Sequence, residues 1–154
     1  MLIVLALWSL LSAAKVYQIS NETVLSSNYS RLLFDLRSAE TGLTPVGEKV
    51  ETTSLLRVSA SLQDAVGQTQ QLGIRFSVRG LRYTWPLENR ILDLRDSAES
   101  LVIGRVEGRV GDLSAVVGLK TSVSELESLL PAPAGNWPRA LSRLLSHPET
   151  FAPR

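Results

Sequence analysis

From Leu2 to Ala14 the chain carries no charge, and its residues are Leu, Ile, Val, Ala and Trp broken only by Ser9 and Ser12. Such a stretch has to be cleaved off, anchor the chain, or pack inside something larger. A bilayer-spanning helix needs about 20 apolar residues, and carrying the run through Lys15 to Val16, Tyr17 and Ile19 nearly reaches that length. Lys15 can then snorkel its ammonium toward headgroups, with Trp8 and Tyr17 as amphipathic partners. The alternative is a secretory signal cut after Ala14, since Ser12 and Ala14 are small residues at suitable offsets. Against it, no basic segment precedes the apolar run.

Beyond this run, Leu25, Tyr29, Leu32, Leu36, Ala39 and Leu43 are spaced 4-3-4-3-4, which lays one apolar stripe along a helix. Ser20 or Asn21 is a candidate cap for a helix starting there, and Gly42 followed by Pro45 is a natural stop. If the two stretches join, residues 2–41 form a rod of about 60 Å at a rise of about 1.5 Å per residue.

From Thr52 the period reads as alternating. Leu56, Val58, Ala60 and Leu62 alternate with Arg57, Ser59 and Ser61. Ile74, Phe76 and Val78 alternate with Arg75, Ser77 and Arg79, and Leu81, Tyr83 and Trp85 with Arg82 and Thr84. Each predicts a half-buried strand. Asp64–Gln71, including Val66-Gly67, reads as a loop or hairpin turn, and Pro86–Asn89 as another turn. Shorter strands are expected at 91–94, 101–110 and 113–121, with Gly104, Gly108, Gly111 and Gly118 as bends or bulges. Arg57, Arg75, Arg79, Arg82, Arg105 and Arg109 would decorate the sheet as a solvated face.

The tail predicts a short helix over 123–130, a hinge at Pro131-Ala132-Pro133-Ala134-Gly135, and a second helix capped by Asn136 with Pro138 in its first turn. Trp137, Leu141, Leu144 and Leu145 would share one side of it.

The chemistry is sparse. The chain has no cysteine and a net charge of +1, which removes thiolate catalysis, disulfides and any bulk attraction to nucleic acid. His147 is the only imidazole, and a general base or metal site would need partners for it. No serine lies in a Gly-x-Ser-x-Gly elbow, and the glycines have neither phosphate-loop nor dinucleotide spacing. Asp93, Asp96 and Glu99 form a loose acidic cluster without the EF-hand order. No catalytic residue, cofactor or metal is expected.

Asn21-Glu22-Thr23 and Asn28-Tyr29-Ser30 are candidate glycosylation sequons. They suit a chain whose bulk is exported.

Taken together, Met1-Leu2-Ile3-Val4-Leu5-Ala6-Leu7-Trp8-Ser9-Leu10-Leu11, the amphipathic stretch after it and the stem ending Ser38-Ala39-Glu40-Thr41-Gly42-Leu43 resemble a processed type IV pilin-like subunit, of the minor pilin, pseudopilin or archaeal pilin class. The resemblance covers about the first 43 residues, and position 5 is leucine where most pilins carry glutamate. It implies a leader removed by a prepilin peptidase and helices packed in a filament core.

The expected fold is therefore α+β: a hydrophobic anchor and helical stem over 1–42, an antiparallel β-sheet or small β-sandwich over 52–121, and a C-terminal helical tail over 122–154. The expected function is a structural subunit of a filament or membrane-embedded assembly with its β domain exposed. The alternative is a single-pass membrane tether whose extracytoplasmic β domain binds a partner. Assembly or anchor contacts fall to Leu2, Ile3, Leu5, Leu7, Trp8, Leu11, Lys15, Leu25, Tyr29, Leu32 and Leu36. Partners would be copies of the chain, other subunits or the lipid bilayer, at a membrane or in an extracellular filament.

Overall fold

The computed structural model describes residues 2–44, 50–78, 83–108 and 113–152, the side chains at 2–13, 19 and 78 excepted. Five α-helices follow in order: α1 (Leu2–Gly42), α2 (Thr52–Val78), α3 (Trp85–Val106), α4 (Leu113–Leu129) and α5 (Trp137–Leu144). A 3₁₀ turn at Pro148–Phe151 closes the chain.

Each long helix has the same buried rhythm. On α1 the stripe Leu25, Tyr29, Leu32, Leu36 and Ala39 is buried, as is Leu43 just past its end. On α2 the buried positions Leu55, Val58, Leu62, Ala65, Thr69, Leu72 and Phe76 step 3-4-3-4-3-4. Leu87, Ile91, Leu94 and Ala98 continue it on α3, and Val116, Leu119, Val123 and Leu126 on α4. Alternating steps of three and four keep one stripe facing a neighbouring helix, the packing of antiparallel bundles.

Cross-links give the directions. Arg75 near the end of α2 donates to Asn21 early in the packed part of α1, while Gly42 at the end of α1 meets Val58 near the start of α2. Gln70 donates to Glu88 and Arg95 to Gln63, so α3 runs back along α2. Lys120 reaches Thr44 and Arg37 pairs with Glu127, which lays α4 antiparallel to α1. The result is an up-down-up-down four-helix bundle with α5 folded back against it. Trp137 of α5 stacks on Tyr29, ring centroids 3.9 Å apart and planes 5° from parallel, and its ring lies 6.2 Å from that of Phe76.

This replaces the expected α+β fold: among the described residues there is no strand, and the span 52–121 expected as a β domain consists of α2, α3 and much of α4. The alternation at Leu56–Leu62 is local. Val58 and Leu62 are buried one turn apart, Leu56 is 53% exposed, and Ala60 is exposed as well. Asp64–Gln71 is helix interior, and Pro86 occupies the first turn of α3, where its missing N–H costs nothing. Gly104 and Gly118 also lie inside helices, whereas Gly108, at φ 72°, does end one just after α3. The short helix expected at 123–130 is the second half of α4. Pro45, Arg79, Leu81, Arg82, Arg109, Val110 and Gly111 lie outside the described residues.

The functional expectation falls with the sheet. Neither a filament or membrane-embedded subunit displaying a β domain nor a tether with an extracytoplasmic β domain matches a helical bundle. Among the described residues, no helix is long and apolar enough to cross a membrane.

Candidate functional site

α1 is one continuous helix, with no new start at Ser20 or Asn21. Its first buried described residue is Asn21, while Ala14–Gln18 and Ser20 are all exposed. The Asn21 Oδ1 accepts a 2.6 Å hydrogen bond from Arg75 Nη1, only three residues before α2 ends at Val78. From there toward its N-terminus α1 leaves the bundle as an arm. Residues 2–20 extend some 28 Å, from a rise of about 1.5 Å per residue.

At the base of this arm the helix ends are tied by polar contacts in the core. The Thr84 hydroxyl donates to the Thr69 carbonyl at 2.9 Å, and the Thr69 hydroxyl donates to Ala65 at 2.8 Å. Gly73 sits against Thr84 so closely that a β-carbon there would lie 2.6 Å from Thr84 Oγ1. This holds the corner between α2 and α3 beside the arm. Outside the corner, Tyr83 is 70% and Trp85 67% exposed, with Ile74 on the last turns of α2 also exposed. Val16 and Tyr17 on the arm are similarly uncovered, and so is Lys15.

Two of the depressions on the bundle lie near its helix seams. One, of about 550 Å³, lies between α1 and the start of α5, with Glu22, Leu25, Ser26, Asn136, Trp137 and Arg139 on its walls. Asn136 stands at the N-terminus of α5, as the sequence implied, but its side chain makes no capping hydrogen bond. The other, of about 780 Å³, is a shallow groove between α3 and α4 lined by Ser97, Ser100, Ala115, Gly118 and Ser122 around Leu94. Asp93 and Arg90 also line the second, and no imidazole lines either.

The interior holds one perturbed phenol. Tyr29 is fully buried and donates to the Pro131 carbonyl at 2.5 Å, and burial pushes its pKa well above the ordinary tyrosine value. His147 is exposed and 3.2 Å from Glu149. Asp96 pairs with Arg95 at 2.6 Å, and Glu99 lies 3.6 Å from the same arginine, so two members of the acidic cluster serve a surface ion-pair network. Among the described residues no group of acidic or histidine side chains could hold a metal ion.

The predicted assembly residues divide. Leu25, Tyr29, Leu32 and Leu36 face inward and are consumed by the chain's own core, so they offer nothing to neighbouring copies. Lys15 is exposed on the arm. Leu2, Ile3, Leu5, Leu7, Trp8 and Leu11 belong to α1, but their side chains lie outside the described residues. Of the sequons, Asn21 is buried and bonded to Arg75, which leaves no room for a glycan, while Asn28 is half-buried. Sequence reasoning missed Tyr83, Trp85 and Ile74 as members of an arm-base cluster because it placed them in strands.

Comparison of the chain with protein-family profiles, with curated proteins and with solved structures found no match.

Proposed function

We propose that this chain is a non-catalytic docking module: a helical bundle carried by an apolar arm that is its point of attachment. The observation behind the reading is that α1 continues without a break past the end of its own bundle. A single helix in water gains no tertiary packing, and short isolated helices are marginal there. An uncharged apolar stretch such as 2–14, on a helix that runs on past its own bundle, has the composition of an interaction site. Covering it with a partner supplies the packing it lacks. Burying each large side chain against a partner contributes roughly 1.5–3 kcal/mol.

The reading uses no reaction chemistry. It is supported by the engagement of the titratable groups elsewhere: Asp96 and Glu99 with Arg95, His147 with Glu149 and Glu127 with Arg37.

Leu5→Glu with Leu11→Glu, made together in the full chain, tests it. Both positions are remote from Asn21, the first buried residue among those described, so the thermal unfolding temperature should hold. By analytical ultracentrifugation with and without mild detergent, the native chain is expected to self-associate or to take up micelles, and the double variant to sediment as a monomer in both. A native chain that is monomeric and takes up no detergent would end the reading.

A further inference from the structure

Resting on the docking reading above, we propose that the partner of the arm is a second copy of this chain: two copies exchange arms, and each arm lies in the groove between α3 and α4 of the other. The groove, of about 780 Å³, opens over Leu94 and Leu119, which are buried, and Leu101. Next to it the chain has already filled the same seam. The closing 3₁₀ turn packs on α3, and its Phe151 is buried in a smaller depression shared with Arg90, Ser122 and Leu126. Arg90 and Ser122 line the open groove as well. The seam between α3 and α4 thus takes an added segment in one half and stands open in the other.

The open half suits an apolar helix. The hydroxyls of Ser97 and Ser100 donate to the carbonyls of Asp93 and Asp96 one turn back, at 2.8 and 2.9 Å. Covering these serines therefore leaves neither donor unpaired. Ala115 and Gly118 keep the facing wall low, and a β-carbon at Gly118 would meet nothing within 4 Å. The charged lining residues, Arg90 and Asp93, both lie toward the start of α3, and the rest of the lining is uncharged.

The arm has the matching length and charge. Its uncharged stretch 2–14 is about 18 Å long as a helix, against about 16 Å along α3 from Arg90 to Leu101, at a rise of about 1.5 Å per residue. With its tip toward Leu101, the arm brings its first charge, Lys15, to the Asp93 end of the groove. A chain cannot seat its own arm this way, because α1 is one unbroken helix that runs away from the bundle while the groove lies along it. Exchange about a two-fold axis covers both arms and both grooves and closes at a dimer.

Sedimentation equilibrium of the full chain without detergent tests the proposal, and a dimer is expected. Gly118→Arg puts a long charged side chain into the groove at a point where the chain's own fold has room for it. It should weaken the dimer about ten-fold or more, with an unchanged far-UV spectrum and a melting temperature no lower than that of Leu5→Glu/Leu11→Glu. Ser97→Arg, on the opposite wall, should do the same. Val117→Arg, next along α4 but outside the groove's lining, should leave the dimer intact. A dimer that Leu5→Glu/Leu11→Glu dissolves and the groove variants do not would overturn the groove as the arm's seat and keep the docking reading. Assemblies larger than a dimer, or a monomer that takes up micelles when detergent is added, would do likewise. A dimer that survives Leu5→Glu/Leu11→Glu, or a monomer that takes up no detergent, would end both.

Discussion

Asp35 on α1 is held above the ordinary aspartate range, first by burial and then by Asp64 on α2, against the opposing pull of Arg31. The folded chain thus keeps this proton to a higher pH than the unfolded chain does. The contribution to stability is complete below the unfolded value, near 3.8, and is lost as pH rises through the folded value. Asp35→Asn should accordingly raise the melting temperature at pH 7 and leave it almost unchanged at pH 3. Melts at the two pH values decide it, and a lower melting temperature at pH 7 would show that the carboxylate is favourable there. Tyr29 shifts in the same direction for a simpler reason, the burial of its hydroxyl.

Between elements, the close approaches depend on two glycines. A β-carbon at Gly42 would meet Val58 Cγ2 at 2.7 Å, and one at Gly73 would meet Thr84 Oγ1 at 2.6 Å, while nothing lies within 4 Å of one at Gly67. Gly73→Ala should therefore cost about 1–3 kcal/mol through overpacking. Gly67→Ala, in the same helix, should gain about 0.5–1 kcal/mol from helix propensity. Urea unfolding of the pair measures both, and equal effects would contradict the geometry.

This scale also shows how far the sequence was legible. The stripe from Leu25 to Ala39 on α1 stood out because mostly polar residues, Leu33 and Phe34 apart, fill the gaps between its steps. α2 carries as regular a stripe from Leu55 to Phe76. It was hidden because Leu56, Ala60 and Ile74, exposed in the fold, turn seven-residue windows into apparent alternation. A window of four turns separates the periods: strands of more than ten residues are unusual, whereas 27 residues is an ordinary bundle helix. Gly67 strengthened the error by resembling a turn residue. Pro86 did the same, although a proline in the first helical turn is a start signal. Of the candidate site, the apolar run and Lys15 were visible in the sequence. The arm-base cluster was not, because the contacts of Thr84 with Thr69 and Gly73 span distances along the chain that no local pattern reveals.

In the molecule as a whole, α5 shares the core of the bundle. Trp137 is buried against Tyr29 and Phe76, Leu141 and Leu145 are buried with it, and Phe151 of the final turn is buried as well. The tail after the proline-rich hinge is thus part of the same cooperative unit. Near-UV and far-UV circular dichroism should lose their signals at one urea midpoint, and Trp137→Ala should lower the unfolding free energy by about 3–5 kcal/mol. An early near-UV transition would mean that α5 detaches before the bundle melts.

From Leu2 to Thr41 α1 contains neither glycine nor proline, the residues at which helices most often kink. The arm is consequently a torsion shaft as well as an attachment. Whatever grips its far end also sets the compass bearing of the bundle, and with it the direction in which the groove between α3 and α4 looks. One residue inserted after Ala14 would swing that bearing by about 100° and lift the bundle by about 1.5 Å, whereas an insertion of 18, five full turns, would restore the heading at a greater height.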